Sequence, residues 1–204
     1  MTAAERERAA RYHFQEDRKR YTAGRSTLRR LLAQSTGIAP SELVILEAEW
    51  TKPRLELPPD IPSIFFNVSH SGDFVLLAVS DTVEVGVDIE QVRADCPITD
   101  LARRYYSPAE FQYLETLPSD QRLRDFYRFW TIKEAVLKCA GLGLSVPPHV
   151  VDIRLKEDGI PELHCLDGNR MFLAQISVRE LAVAEGYASA LALKTQDKIS
   201  INLA

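Results

Sequence analysis

Apolar residues recur along this chain in two rhythms, one helical and one alternating. Through the first thirty-odd residues they are interleaved with Arg, Glu and Ala and meet no Pro. They then reach Leu28, Leu31 and Leu32 ahead of Ser35-Thr36-Gly37. This spacing predicts two helices broken near Thr22 to Gly24, with a helix end at Gly37. Leu43 to Glu49 predicts a strand. The breakers around Lys52-Pro53-Arg54, Pro58-Pro59-Asp60 and Ile61-Pro62 predict a loop. Three strands should follow, Ile64 to Val68, Phe74 to Ser80 and Val83 to Glu90, with Asp81-Thr82 short enough to turn a hairpin between the last two.

Ser107-Pro108-Ala109-Glu110 combines an N-cap Ser, Pro at the first helical position and a carboxylate three residues after the cap. Phe111 and Leu114 should then face the core. A second helix is predicted from about Asp120 to Ala140, with Gly141 as its left-handed terminator and Gly143 to Pro148 as a loop. The final third reads mainly as strand: Val150 to Leu155, Met171 to Val178 and Ala188 to Leu193, separated by Asp158-Gly159 and Asp167-Gly168-Asn169. Helices plus about three strands in each half, 1–91 and 92–204, predict a pseudo-duplicated α+β chain, although no residue-by-residue repeat accompanies the symmetry.

At 204 residues the chain is long enough for a sizeable core. With 25 Lys+Arg against 29 Asp+Glu it lacks the global basicity that nucleic-acid binders use, so nucleic acid is not an expected partner. The longest fully apolar run, Phe74 to Val79, is far below the ~18 residues of a membrane span, and the charged N-terminus has no signal-peptide core. A cytoplasmic protein without membrane association is expected. Cys96, Cys139 and Cys165 form neither a C-x-x-C pair nor an even set and read as reduced structural thiols.

The chemistry is concentrated in two segments. In the strand Val85-Gly86-Val87-Asp88-Ile89-Glu90, residues two apart share a face, so Asp88 and Glu90 present paired carboxylates. On the later helix Trp130, Glu134 and Lys138 recur every four residues. Glu134 offers a third carboxylate for a hard cation such as Mg²⁺, and Lys138 offers charge to a phosphate. Alone, Glu134 and Lys138 would read as a surface ion pair; the coincidence with Asp88 and Glu90 points to phosphate chemistry. Asn67-Val68-Ser69-His70-Ser71-Gly72, read as a loop between apolar strands, supplies donors for phosphate oxygens. Adjacent Ser69 and His70 are poorly suited to nucleophilic catalysis. The many arginines of the first helices are balanced by acids and read mostly as solvated faces. Lys52 and Arg54, flanking Pro53, are better placed to hold a terminal phosphate.

Together these residues resemble the Sfp-type 4′-phosphopantetheinyl transferases. The resemblance runs through Arg20-Tyr21-Thr22-Ala23-Gly24-Arg25, Lys52-Pro53, Phe66-Asn67-Val68-Ser69-His70-Ser71, Val85 to Glu90, Tyr106 to Glu110 and Phe129 to Lys138. It implies two similar α+β halves with coenzyme A in the cleft between them. It also implies transfer of the phosphopantetheine arm of coenzyme A to a serine of an acyl, polyketide or peptidyl carrier protein, releasing adenosine 3′,5′-bisphosphate. Asp88, Glu90 and Glu134 would hold Mg²⁺ or Mn²⁺, with Asp88, Glu134 and Lys138 catalytic and Glu134 also taking the serine proton. Ser69 and His70 would contact coenzyme A phosphates, and Arg8, Arg20 and Lys52 would surround the nucleotide.

The same resemblance implies an opening segment with a first strand ahead of the helix near Ala4. This chain is expected to start after that strand, leaving an exposed sheet edge. Glu5 departs from the family, where a base is frequent. A duplicated chain is expected to be a monomer. Two other functions share the acidic trio: a metal-dependent phosphohydrolase of a nucleotide pyrophosphate, and a non-catalytic module that binds coenzyme A or a carrier protein.

Overall fold

The computed structural model describes residues 1–47, 51–166, 173 and 175–195. Two 22-residue helices organise it: α2 (Gln15–Thr36), preceded by the short α1 (Ala3–Ala10), and α5 (Ser119–Ala140). Each ends at a glycine in the left-handed region, Gly37 at φ 74° and Gly141 at φ 70°, which lets the cap N–H reach back to the last carbonyls. The strands are β1 (Val44–Leu46), β2 (Arg54–Glu56), β3 (Phe65–Ser71), β4 (Phe74–Ser80), β5 (Val85–Gln91), β6 (Val151–Leu155), β7 (Pro161–Cys165), β8 (Ile176–Glu180) and β9 (Tyr187–Lys194). Helices α3 (Ile98–Tyr105) and α4 (Pro108–Glu115) precede α5. The result is an α+β fold of two similar halves, each a long capped helix against antiparallel strands: α2 over the β3–β4 hairpin, and α5 over the sheet β5-β9-β8. Hairpins β1–β2 and β6–β7 flank them.

Three sequence expectations are corrected. The break between the first helices lies at residues 11–14, and Thr22 to Gly24 run inside α2. Gly24 is there for contact: a Cβ would stand 3.0 Å from Val75 Cγ1 on β4, so the glycine lets helix and strand close up. Asn67 to Ser71 form β3 rather than a loop, since their alternating polar residues keep the strand period. Nor do β4 and β5 form a hairpin. Ser80 Oγ accepts from the N–H groups of Thr82 and Val83 and turns the chain out of the β3–β4 sheet, and β5 pairs with β9 instead.

Helix α4 carries the expected capping box, with Ser107 Oγ accepting from Glu110 N and the Glu110 carboxylate accepting from Ser107 N. Strands β2 and β7 and helix α3 were not anticipated. The strands are short and rest on their hairpin partners, while Ile98, Leu101, Ala102 and Tyr105 of α3 keep helical spacing and pack on the main core. The end of the predicted strand at Glu49, the turn Asp167-Gly168-Asn169 and the start of the strand predicted from Met171 lie outside the described residues. None of the three cysteines, all of them among the described residues, is joined in a disulfide. Among the described residues no helix is long and apolar enough to cross a membrane.

One half is seamed to the other along β3 and β5. The N–H groups of Val87, Ile89 and Gln91 are met by side chains: Asn67 Oδ1 at 2.9 Å, Ser69 Oγ at 3.4 Å and Ser71 Oγ at 3.1 Å. Residue numbers climb together across this seam, so β3 and β5 run parallel, joined by side-chain acceptors in place of a backbone ladder. On the face of β5 that carries Asp88 and Glu90, Gly86 lies against α5. A Cβ there would fall inside contact distance of Ala135 O and Cys139 N and 2.8 Å from Cys139 Cα, all backbone atoms of the helix.

Gly86→Ala must push α5 off β5, so it is expected to cost about 2–3 kcal/mol or more in urea unfolding. Gly141→Ala meets no neighbour and strains only its own φ, so it should cost about 1–2 kcal/mol. A Gly86→Ala loss no larger than that of Gly141→Ala would refute the close-contact account.

Candidate active site

Strand β5 is buried almost throughout, yet alternation turns Asp88 and Glu90 toward an open cleft of about 440 Å³. Helix α5 crosses above and lowers Trp130, Glu134 and Lys138 into the same cleft from successive turns. Val68, Ser69 and His70 of β3 supply a further wall, with Tyr105 and Pro148 at the margin. The two segments singled out in the sequence therefore meet.

The contacts within this cleft are specific. Lys138 Nζ lies 2.6 Å from Asp88 Oδ1 and 3.2 Å from Ser69 Oγ, and Ser69 donates to the same carboxylate oxygen at 2.7 Å. Ser71 Oγ donates to Glu90 Oε2 at 2.7 Å. Lys138 thus pairs with Asp88 across the cleft rather than with Glu134 one turn back on its helix. Ser71, not singled out as a site residue, was legible as the third member of the alternating set 67, 69 and 71. Ser69 and Ser71 each bond both a β5 N–H and a β5 carboxylate, so they aim the two acids as well as closing the seam.

Electrostatically the cleft is short of positive charge. Burial raises the Asp88 carboxyl above its usual range despite Lys138 and Ser69. Burial likewise raises Glu90, with Ser71 opposing and Asp88 adding to the rise. Glu134 is raised by burial, with Lys138 opposing it and both neighbouring acids reinforcing it. Asp88 Oδ2 is buried without a hydrogen-bond partner. An all-oxygen set with mutual repulsion and one unpartnered buried oxygen fits a hard divalent cation. As the side chains stand, no three His, Cys, Asp or Glu residues among those described are drawn together closely enough to hold a metal ion. His70 falls below the usual imidazole range because of desolvation and then the positive neighbours Arg20 and Lys138.

A second cavity, about 520 Å³, adjoins the first along Val68 and His70, which line both. Arg8, Arg20, Tyr21 and Arg25 project into it from α1 and α2. Arg20 bonds Asp17 and the Gly72 carbonyl. Arg8 bonds Glu47 at 2.8 Å and lies 5.5 Å from the centre of the Tyr21 ring. Lys52 lies apart from this group, paired with Glu84 and donating to Val85 O at 2.7 Å beside a separate hollow under the Pro58-Pro59 turn. Arg54 borders that same hollow. Glu5 is buried behind the arginine cavity and bonds Arg25 and Arg29, the latter at 2.7 Å, so this acid anchors two bases.

Lys133, adjacent to Glu134, points the other way into the core. It is fully buried, 2.8 Å from Glu110 Oε2, and donates to the carbonyls of Val151 and Pro148. Burial lowers the Lys133 ammonium against the opposing pull of Glu110.

Comparison with known proteins identifies the family. A family model described as the 4′-phosphopantetheinyl transferase superfamily matches residues 84–192, and one described as 4′-phosphopantetheinyl transferase, N-terminal, matches residues 1–82. The chain is 34% identical over 169 residues to a 4′-phosphopantetheinyl transferase of Bacillus subtilis, covering 83% of this chain and 73% of that protein. It is 37% identical over 145 residues to the 4′-phosphopantetheinyl transferase HetI of Nostoc sp. strain PCC 7120, covering 71% of this chain and 61% of HetI. With the 4′-phosphopantetheinyl transferase Sfp of Bacillus subtilis strain 168 it shares 31% identity over 170 residues, covering 80% of this chain and 73% of Sfp.

The Glu5 anchor has a pH signature. Burial alone would raise its carboxyl, but the bonds from Arg29, Arg25 and Thr2 N outweigh burial and hold it at about 2, against 4.5 for the free group. A depressed native pKa stabilises the fold above pH 4.5, and that contribution is lost as pH falls toward 2. It is on the order of 3 kcal/mol. Denaturant titrations should find that Glu5→Gln lowers stability at pH 7 and flattens the acid limb. A parallel acid limb in wild type and variant would contradict the assignment.

Proposed function

The chain belongs to the 4′-phosphopantetheinyl transferase superfamily, among relatives of the Sfp and HetI type, and from that premise we propose how its two adjoining cavities carry out the transfer. The chain moves the phosphopantetheine arm of coenzyme A to a serine hydroxyl of an apo carrier protein. The serine oxygen forms a bond to the β-phosphorus of the diphosphate, the bond from that phosphorus to the bridging oxygen breaks, and adenosine 3′,5′-bisphosphate leaves. The observation that carries this reading is the convergence of Asp88, Glu90 and Glu134 on one cleft, with Asp88 Oδ2 unpartnered, beside a cavity lined by arginines.

The adenosine end occupies the arginine cavity, where Arg8 and Arg20 face its phosphates; Lys52, paired with Glu84 outside that cavity, would have to leave Glu84 to reach the nucleotide. The diphosphate lies past His70, in the acidic cleft. Asp88, Glu90 and Glu134 would hold Mg²⁺ or Mn²⁺, which when bound would neutralise the diphosphate and make its phosphorus a better electrophile. Lys138, now on Asp88, and the donors Ser69 and His70 are within the same walls and stabilise charge on the phosphate oxygens. Glu134 takes the serine proton, a task suited to a carboxylate whose pKa is raised by burial. The carrier serine enters from the open side of the cleft. The chain acts as a cytoplasmic monomer.

Asp88→Ala or Glu134→Ala should abolish the mass gain of an apo carrier protein incubated with coenzyme A and Mg²⁺, read by intact mass spectrometry, without loss of the fold. Chelation of divalent ions should stop wild-type transfer, and added Mg²⁺ or Mn²⁺ should restore it. Undiminished modification by either variant would remove the site assignment. Release of phosphopantetheine without an acceptor protein would point to hydrolysis instead.

A further inference from the structure

Every arginine in the larger cavity already holds a carboxylate. Arg20 has Asp17, Arg25 has Glu5 and Glu47, and Arg8 has Glu47. Asp17 sits on the same helix as its partner, and Glu5 is buried behind the cavity wall. Glu47 differs from both. It follows β1, outside the helices that carry the arginines, and its two oxygens are divided between two guanidinium groups: Oε2 lies 2.8 Å from Arg8 Nη1 and Oε1 lies 2.7 Å from Arg25 Nη1. Two arginines converging on adjacent oxygens of one anion is the arrangement that would receive a phosphate group. A carboxylate held there stands in for one.

We infer that Glu47 is a built-in counter-ion that occupies the place of the donor's ribose phosphate in the free protein, so that coenzyme A must displace it to bind. The inference rests on the donor-binding reading above and names the group that tunes it. It concerns the ribose phosphate because Arg8, Arg25 and Glu47 line the arginine cavity and none of them lines the acidic cleft assigned to the diphosphate. Displacement is feasible because both arginines have second anchors. Arg25 keeps Glu5, itself fixed by Arg29, and Arg8 keeps the face of Tyr21. Glu47 is also partly exposed, with 35% of its side chain accessible, so its carboxylate can turn to water once released. The device masks positive charge when the cavity is empty and makes strong binding conditional on a group with more negative charge than a carboxylate. Nucleotides without a ribose phosphate cannot repay the loss of Glu47 from its two partners.

The test compares equilibrium binding of coenzyme A and of dephospho-coenzyme A by calorimetry, using wild type and Glu47→Gln and no carrier protein. Glu47→Gln keeps the shape and removes the charge. It is expected to bind coenzyme A about fivefold more tightly, the scale of an ion pair partly exposed to water, with the affinity for dephospho-coenzyme A unchanged. Unchanged or weaker binding of coenzyme A by Glu47→Gln, or an equal gain for both compounds, overturns the inference while leaving the donor reading intact. Absence of coenzyme A binding by wild type and variant alike overturns the donor reading itself. Thermal unfolding is followed for Glu47→Gln and for Glu47→Ala. A large fall in both melting temperatures means that Glu47 holds the cavity together, and this also overturns the inference.

Discussion

The close approach of α5 to β5 at Gly86 is the constraint on which this molecule turns. A strand and a helix ordinarily keep their backbones apart by the width of their side chains. Here the missing side chain brings helix backbone to within contact of the strand. Residues on either side of that contact inherit its geometry. Asp88 and Glu90 are two and four positions along the strand from Gly86, and Glu134 immediately precedes Ala135, whose carbonyl faces the glycine. One small residue thus sets how far the acids of the strand stand from the acid and lysine of the helix.

The two lysines of α5 show why exposure to the cleft matters more than charge alone. Lys133 is buried with a full set of acceptors, and its pairing with Glu110 ties α5 to the α4 cap and to β6. Such a pair leaves no charge over for a ligand and serves registration, since burying two ions gains little net stability. Lys138, five residues on, is partly open and shares an oxygen with Ser69 on a carboxylate whose other oxygen has no partner. The first arrangement is complete; the second is short of positive charge. The proposed site is the one with the deficit.

Much of this was legible in the sequence because it depends on short periods. The two-residue period of Asp88 and Glu90, the four-residue period of Trp130, Glu134 and Lys138, the capping box at Ser107 and the terminator at Gly141 are local signals, and the structure follows them. What was not legible depended on pairing across the chain. Residues 67 to 71 carried a strand period but also the composition of a loop. Only their contact with β5 shows that their polarity is used for hydrogen bonding between strands. Gly24 read as a break because a glycine that admits Val75 cannot be told locally from one that ends a helix. The arginines of the first helices were read mostly as solvated. Their carboxylate partners come in part from Glu47, beyond the helices altogether, and Glu5, which stood out only as a departure, proved to be an internal anchor.

The seam between β3 and β5 differs in kind from the ladders around it. A ladder of main-chain bonds is indifferent to the identity of most residues it contains, so it tolerates substitution. This junction exists only while positions 67, 69 and 71 encode short oxygen acceptors, and two of those same residues also orient Asp88 and Glu90. Cohesion of the halves and alignment of Asp88 and Glu90 therefore share two side chains, so a substitution at Ser69 or Ser71 disturbs both at once.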